Sequence, residues 1–330
     1  MTAAVNSGWP VIGHEWAIAH LSRSLAYDRV RHAYLFTGPG MIGKTTLARV
    51  FAASLNCRDA HAPCGTCRTC TLILKDGHPD VSIVEAGQAG GQLKIEQVRD
   101  LQQTLALRPY EARYRVAVLR RFHEANPAAA NALLKTLEEP PPGVILILTA
   151  DAADLLLPTI VSRCQPLPLR PLPVEVVRAA LMTRGAPPDT AQTLAQISGG
   201  RIGWAIRALA DPAELAQRAE WLDLLETALQ GTRRERFALV EKLSLEKTGL
   251  QTMLDFWVGY WRDALLIASG SRAPITNYDR QAALQALAER AGMGAVQHAL
   301  DATRRTSQHL NKNVNTRLAL EVLMLDYPLP

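Results

Sequence analysis

Apolar runs and amphipathic stretches alternate along the first half of this chain. Four short apolar runs predict strands, and the last of them is rich in branched residues, as in a strand covered on both faces. They are residues 33–37, 81–85, 116–119 and 144–149. Apolar residues recur with helical spacing in residues 14–26, 44–55, 95–105 and 128–138. Strands that alternate with helices predict an α/β domain with a mostly parallel sheet.

The pattern changes after residue 166. Four prolines fall within eight residues, a density that predicts an extended linker. They are Pro166, Pro168, Pro171 and Pro173. Beyond them the apolar spacing is helical only, first in a small module at 174–210 with a turn at Gly199-Gly200, and finally in residues 314–325. The predicted divisions are an α/β domain over 1–166, a helical module over 167–212 and an all-α domain over 213–330.

A glycine-rich loop follows the first predicted strand and precedes a helix. Its residues, Gly38-Pro39-Gly40-Met41-Ile42-Gly43-Lys44-Thr45, complete the P-loop pattern G-x-x-x-x-G-K-[ST]. In such loops the glycines let backbone N–H groups approach phosphates, the lysine places a charge near the terminal phosphates, and the threonine hydroxyl holds Mg²⁺. A chance glycine turn is the alternative. The strand before the loop and the helix after it favour binding of ATP or ADP.

The strand at 116–119 ends where a hydrolysing site would carry a metal-organising Asp and a water-activating Glu. Arg120 and Arg121 stand there instead. Arginine stays protonated and cannot act as a base. It also repels Mg²⁺, by about 4 kcal/mol for unit charges ~4 Å apart at an effective dielectric of 20. Glu124, about one helical turn further on, is a conceivable substitute base. We therefore expect a loop that holds nucleotide, holds Mg²⁺ poorly and hydrolyses little.

Four of the five cysteines crowd into residues 57–70 with the spacing C-x₆-C-x₂-C-x₂-C. They are Cys57, Cys64, Cys67 and Cys70. Four thiolates match the closed tetrahedral shell of structural Zn²⁺, and Pro63 and Gly65 favour a knuckle over a helix. Free or redox-active thiols are the alternative. We expect His61 to be a surface residue and Cys164 a small buried hydrophobe.

Taken together, these features resemble the clamp-loader branch of the AAA+ ATPases over essentially the whole chain. The segments that carry the resemblance are Val11-Ile12-Gly13-His14, His32-Ala33-Tyr34-Leu35-Phe36, the cysteine insert, Asn131-Ala132-Leu133-Leu134-Lys135-Thr136-Leu137-Glu138-Glu139-Pro140, Ser162-Arg163-Cys164 and Asn313-Val314-Asn315-Thr316-Arg317-Leu318-Ala319-Leu320-Glu321. The resemblance implies that 1–166 is the nucleotide-binding domain, 167–212 its lid and 213–330 a collar for packing against other subunits. It also implies that Val11, Ile12 and Thr46 join the P-loop in binding nucleotide.

The resemblance further implies a ring-like complex that opens a sliding clamp and places it on primed-template DNA. ATP lies between neighbouring subunits there, and an arginine from next door completes each site. Arg163 follows Ser162 on what reads as a short helix over 158–164, where Ile160 and Cys164 share one face and Arg163 points elsewhere. Our hypothesis is that Arg163 is this arginine finger, acting in trans. An unpartnered surface arginine is the alternative.

Two more positions depart from the hydrolysing members of the family. Gly203 stands where their lid carries an arginine, and Ala150-Asp151 where a threonine or asparagine senses phosphate. We therefore predict a non-hydrolysing or weakly hydrolysing assembly subunit, with gamma/tau-type and delta-type subunits as its partners. The alternatives are an ATP-hydrolysing motor subunit of the same complex and a self-standing zinc-containing nucleotide switch.

Charge and hydropathy limit the remaining choices. A net charge of +5 permits a nucleic-acid partner without establishing one. The arginines of the two basic runs, at 113–121 and 233–236, are expected to be solvated, with phosphate contacts as the alternative. We expect Trp257 and Trp261, four residues apart, to lie in a helical core. No apolar run approaches the ~20 residues of a membrane span, and the start lacks a signal-peptide layout, so we expect a cytoplasmic protein.

Overall fold

The computed structural model describes residues 8–87, 91–243, 247–310 and 314–329. The chain forms two compact units, one of Met1–Ala180 with Gly200–Trp204 and the other of Leu181–Gly199 with Ala205–Pro330. The three-domain division predicted above stays a prediction. Residues 1–7, to which the signal-peptide prediction refers, lie outside the described residues. So does Asn313, the first residue of the tail segment quoted above.

Five parallel strands from the described residues form the sheet of the first unit, in the order β2-β3-β4-β1-β5. They are β1 Ala33–Thr37, β2 Val81–Val84, β3 Arg115–Leu119, β4 Val144–Ala150 and β5 Gln165–Pro168. Every residue of β1, β3 and β4 is buried, as expected for central strands covered on both faces. The predicted α/β fold with a parallel sheet is confirmed.

Helices cover both faces of this sheet. They are α1 Glu15–Ala26, α2 Lys44–Asn56, α3 Arg68–Leu74, α4 Ile95–Leu105, α5 Pro127–Glu138 and the short α6 Pro158–Val161. Alternate residues of β1 point to opposite faces: Tyr34 packs with Phe51 of α2, and Leu35 belongs to the cluster that contains Leu133 of α5. α6 is shorter than the helix over 158–164 that the sequence predicts.

The fifth strand corrects the predicted linker. Residues 165–168 pair with β1, although Pro166 and Pro168 lie within the strand. A proline cannot donate to a sheet and is tolerated on an edge strand. Leu169 donates its N–H to Thr37 O at 2.7 Å, so the alternating prolines fall where the backbone nitrogens point away from β1. Proline density therefore marks the edge of the sheet here.

The remaining helices are α7 Val174–Thr183, α8 Pro188–Ile197, α9 Ile202–Ala210, α10 Ala213–Gln230, α11 Arg233–Lys242, α12 Lys247–Ala268, α13 Gln281–Leu310 and α14 Thr316–Asp326. α13 is interrupted at Gly292, whose φ is 72°. Trp257 and Trp261 of α12 are fully buried, as predicted, and Trp261 packs on the ring of Tyr327 at 5.0 Å. In the described residues the second unit is thus all-helical around an aromatic core.

Two arginines of the predicted basic runs are buried. Arg115 is 6% exposed and pairs with Asp80 at 3.0 Å. Arg236 is 1% exposed and donates to the carbonyl oxygens of Ala228, Met324, Tyr327 and Pro328. The expectation of solvated faces is therefore wrong for these two residues, which hold the fold together from inside.

Candidate functional site

The P-loop connects the carboxyl end of β1 to α2. Gly38 donates its N–H to the carbonyls at the end of β4, Ala150 O at 3.2 Å and Asp151 O at 3.1 Å. Gly43 precedes α2 with φ 105°, a conformation that favours glycine, and a Cβ there would meet nothing within 4 Å. The loop therefore has the backbone conformation and the free space that approach to a phosphate requires.

Lys44 is turned inward. Its side chain is 8% exposed, and Nζ donates to Pro39 O at 2.9 Å and to the carbonyl of Gly38. Nζ also forms an ion pair with Asp151 Oδ1 at 2.9 Å. The charge that a P-loop offers to phosphate is thus already compensated by a carboxylate one residue beyond β4.

Two further segments support the loop. His14 is buried, and its Nε2 lies 2.8 Å from Ile42 O. Gly203 donates its N–H to Met41 O at 2.7 Å, and a Cβ on Gly203 would lie 2.8 Å from that oxygen. A side chain at the position of the family's lid arginine would therefore push against the loop. Val11 and Ile12, which precede His14, are partly buried, as are Thr45 and most of the loop, and Thr46 is exposed.

The two arginines after β3 are paired. Arg120 lies 3.0 Å from Glu85, and Arg121 forms an ion pair with Glu124. Arg121 has φ 50° and donates its N–H to the buried Thr149 Oγ1 at 2.9 Å, which turns the chain at the end of the strand. Each arginine is thus neutralised by a glutamate from outside the strand, and both glutamates are thereby occupied.

His123 and Glu124 complete this corner of the site. Burial lowers the pKa of His123, whose side chain is 2% exposed and whose Nε2 lies 3.5 Å from Asp151 Oδ2. Burial raises the pKa of Glu124 more than Arg121 lowers it. Burial alone would raise the pKa of Asp151, but Lys44 and His123 hold it below its usual range. The sequence pattern pointed to Glu124 and to position 151, and it gave no signal for His123.

Arg163 lies at the other end of the strands. It follows α6, pairs with Glu138 at 2.7 Å and donates to Thr159 O at 2.9 Å. Its guanidinium lines an open cavity of about 620 Å³ together with Arg31 and His32. Cys164 beside it is buried, and burial raises the pKa of its thiol to about 12, as an unreactive packing residue requires.

The four clustered cysteines converge. All four Sγ atoms lie within 4.8 Å of one another, and those of Cys64 and Cys70 are 4.0 Å apart. A tetrahedral shell with Zn–S bonds of about 2.3 Å has S···S edges of roughly 3.8 Å, so the cluster fits Zn²⁺ closely. Cys57 ends α2, Cys67 begins α3, and Gly65 with φ 73° turns the knuckle between them. The side chain of His61 is 97% exposed, as expected for a surface residue.

Backbone donors surround these sulfurs. The N–H groups of Cys67 and Thr66 lower the pKa of the Cys64 thiol to about 6. The N–H of Cys70 donates to Cys67 Sγ at 3.4 Å. Burial raises the pKa of the Cys70 thiol. Because N–H donors of this kind stabilise thiolate, the knuckle suits a cation ligated by four sulfurs.

A complete P-loop on a parallel sheet of this strand order, followed by helical modules, defines the P-loop AAA+ class of protein. The chain belongs to the DNA polymerase III delta-subunit family: the family model described as "DNA polymerase III, delta subunit" matches residues 13–173. The model described as "DNA polymerase III, delta subunit, C terminal" matches residues 212–327. The two matches fall in both halves of the chain, so the family assignment covers most of its length.

Individual relatives agree with this assignment. The chain is 29% identical to the DNA polymerase III subunit delta′ of Bacillus subtilis over 309 residues, 92% of this chain and 93% of the relative. It is 39% identical to the subunit gamma/tau of Mycobacterium tuberculosis over 175 residues, 52% of this chain but only 30% of the relative. A gamma-subunit-related protein of Thermotoga maritima has 16% identity and a TM-score of 0.45, with 92% and 97% of the chains covered. At that score the structural likeness supports no conclusion about function.

Proposed function

We propose that this chain is a delta-prime-type subunit of the DNA polymerase III clamp loader. In this proposal it holds ATP or ADP in its P-loop, hydrolyses it weakly or not at all, and lends Arg163 to the ATP site of a neighbouring subunit. The proposal rests above all on a complete P-loop beside a strand that ends in Arg120 and Arg121. A loop of this kind can bind nucleotide, and the acids that would cleave it are replaced.

The ion pairs support weak hydrolysis. A general base must reach the attacking water, and a carboxylate held in an ion pair has an oxygen turned to its partner. Glu124 is engaged by Arg121 and Glu85 by Arg120, while Asp151 is engaged by Lys44. These three carboxylates near the loop therefore each form an ion pair with a basic side chain of the first unit.

Topology supports the action of Arg163 in trans. β1 and β5 are parallel neighbours, the P-loop follows the carboxyl end of β1, and Arg163 precedes the amino end of β5. Strands rise about 3.3 Å per residue, so loop and arginine lie at opposite ends of the strands, on the order of 10 Å apart or more. Arg163 is partly exposed at an open cavity. It is therefore placed to reach a nucleotide on another subunit rather than its own.

The four-cysteine cluster is proposed to hold one structural Zn²⁺. Cys57, Cys64, Cys67 and Cys70 would fill its shell and leave no open position for substrate. Bound zinc would join the end of α2 to α3, and it supplies no reaction chemistry. Mg²⁺ would be held poorly at the P-loop, because β3 ends without a metal-organising acid.

Partners follow from the same proposal. Gamma/tau-type and delta-type subunits would be its neighbours, and the sliding clamp and primed-template DNA would be reached through the complex, in the cytoplasm. Four apolar side chains at the chain's last helix support an assembly role: Val314, Leu318, Val322 and Leu325 are each 38–58% exposed. In the parts of the chain that the structure describes, no helix is both long and apolar enough to span a membrane.

The decisive experiment is the Arg163→Ala variant in the reassembled complex. Loss of an arginine finger lowers the rate at the site it serves by about 10³-fold or more in other phosphoryl-transfer systems, so we expect clamp-stimulated ATP hydrolysis and clamp loading to fall. Arg178→Ala, which removes a partly exposed arginine from α7, is the matched control. Unchanged hydrolysis and loading with Arg163→Ala would refute the proposed role.

A motor subunit that hydrolyses ATP itself is the second candidate, because 175 residues of the chain are 39% identical to a gamma/tau relative. Calorimetry and phosphate release by the isolated chain separate the two. Binding without release is the outcome expected for a nucleotide-holding subunit. Release at ordinary ATPase rates that disappears in Lys44→Ala would support the motor.

A further inference from the structure

The P-loop lysine has a carboxylate partner from its own chain. Lys44 Nζ lies 2.9 Å from Asp151 Oδ1, and the lysine side chain is 8% exposed. In a P-loop this ammonium group serves the β- and γ-phosphates of the ligand. A triphosphate must therefore take Lys44 away from Asp151, and its last phosphate must approach the carboxylate.

The surroundings keep Asp151 in place. Its other oxygen, Oδ2, lies 3.5 Å from Nε2 of the buried His123. The nearby Arg121 forms its ion pair with Glu124 and acts on Asp151 less strongly than Lys44 and His123 do. The side chain of Asp151 is 37% exposed, so it stands at the open side of the loop rather than beneath it.

The rest of the loop is free of this competition. A Cβ on Gly40 or Gly43 would meet nothing within 4 Å, so their backbone faces open space. Gly43 caps α2, a helix of 13 residues, whose N-terminus favours an anion. Phosphates bound by the loop backbone therefore meet no carboxylate, whereas a further phosphate beyond them meets Asp151.

We propose that Asp151 is a specificity-determining residue that makes this P-loop select nucleoside diphosphates over triphosphates by competing with the terminal phosphate for Lys44. The proposal rests on the proposed nucleotide binding and adds which nucleotide the loop retains. A diphosphate brings its β-phosphate to Lys44 but has no further phosphate to place against Asp151. A triphosphate has to draw Lys44 away from Asp151 and then places its last phosphate against that carboxylate.

The test is a titration of the full chain with ADP and, separately, with ATP, each with and without Mg²⁺, by calorimetry. For the wild-type chain we expect ADP to bind at least tenfold more tightly than ATP. Asp151→Asn should raise the affinity for ATP about tenfold or more and change that for ADP less than threefold. Asp154→Asn, in the exposed turn after β4, is the matched control and should change neither.

Thermal unfolding confirms that each variant is folded, and Asp151→Ser replaces Asp151→Asn if the latter is not. An equal change for both nucleotides, or no change, overturns the proposal. So does a chain that binds neither nucleotide before and after the substitution. A wild-type chain that binds neither nucleotide also overturns it if Asp151→Asn gains ATP binding, because the wild-type loop then retains no diphosphate. The role of Arg163 is scored separately in the reassembled complex, so failure of one does not imply failure of the other.

Discussion

His123 should give the first unit a measurable response to mild acid. Burial lowers its pKa below the ordinary value near 6.5, so the unfolded chain takes up a proton that the folded chain excludes. More protons are then bound by the unfolded state, and the free energy of unfolding falls as pH drops through 6.5 toward the folded pKa. The slope from one such group is at most about 1.4 kcal/mol per pH unit. Urea unfolding at pH 7.5, 6.5 and 5.5 measures it.

Replacement of His123 by Gln should flatten this part of the profile. His61→Gln is the control, because the side chain of His61 is 97% exposed and lies outside the core. A His123→Gln chain whose stability still falls as steeply as wild type below pH 6.5 would show that another group causes the response.

At the scale of single residues, the P-loop motif predicts which residues form the loop, and only the structure shows which residues they contact. G-x-x-x-x-G-K-[ST] identifies Lys44 because the chemistry needs those residues in that order. Its pairing with Asp151, 107 residues away, depends on which strands are neighbours, and no local pattern encodes that. The pairing of Arg120 has the same origin, because Glu85 comes from the end of a different strand, whereas Arg121 pairs locally with Glu124.

At the scale of elements, the buried guanidinium of Arg236 binds the C-terminal ends of both α10 and α14. Arg236 of α11 donates to Ala228 O, Met324 O, Tyr327 O and Pro328 O at 2.6–3.0 Å. Carbonyls at a helix end lack partners and carry partial negative charge. Arg236→Met would leave these buried acceptors unsatisfied, and we expect the second unit to lose about 3–5 kcal/mol of unfolding free energy.

Arg236→Lys should fall between wild type and Arg236→Met, because an ammonium has three donors and lacks the planar fork. The exposed Arg234→Ala is the control and should stay within about 0.5 kcal/mol of wild type. Urea titrations followed by circular dichroism compare the three variants. Equal stability of Arg236→Met and Arg234→Ala would contradict the structural role.

The cysteine insert between α2 and α3 should carry one zinc ion per chain. Cys67→Ser removes a zinc ligand while its hydroxyl can still cap α3, so we expect zinc to be lost and the thermal midpoint of the first unit to fall. Cys164→Ser alters a cysteine outside the cluster and should retain zinc. Elemental analysis of freshly purified, reduced protein measures the content. A wild-type chain without metal, or equal zinc in both variants, would refute the site.

Prediction of elements fails most clearly at β5. Residues 33–37 and 95–105 are predicted with the observed bounds, because a buried apolar run and a helical period are strong local signals. Residues 165–168 have no such signal, since Pro166 and Pro168 alternate with residues whose backbone nitrogens point toward β1. Only the neighbouring strand makes this segment a strand, and the sequence alone favours a linker.

For the whole molecule, composition and motifs indicate the α/β-then-helical order, but not where the compact units divide. Gly200–Trp204 belongs to the first unit although residues on both sides belong to the second. Gly203 fits closely against Met41 O, and this contact explains why 200–204 belong to the first unit. The two residues are 162 positions apart along the chain. Domain boundaries predicted from composition breaks cannot reveal a short segment that packs with a distant part of the chain.

Assembly should depend on the exposed apolar face at the end of the chain. Leu318, Val322 and Leu325 recur at helical spacing along α14 and are 58%, 49% and 48% exposed, while Leu320, Leu323 and Met324 are buried. Covering a large apolar side chain is worth about 1.5–3 kcal/mol. Leu318→Ser should therefore weaken binding to a gamma/tau-type partner about tenfold or more and leave the stability of the free chain unchanged.

Leu107→Ser is the matched control, since Leu107 is 64% exposed but lies just after α4 in the first unit. Binding of each purified variant to the partner subunit is measured by calorimetry and by gel filtration of the mixture. If the exposed apolar face of α14 mediates assembly, only the Leu318→Ser variant elutes as free chain at micromolar concentration. Equal partner affinity for both variants would place the assembly surface away from α14. A leucine covered by the partner in the complex cannot be replaced by serine without a loss of binding.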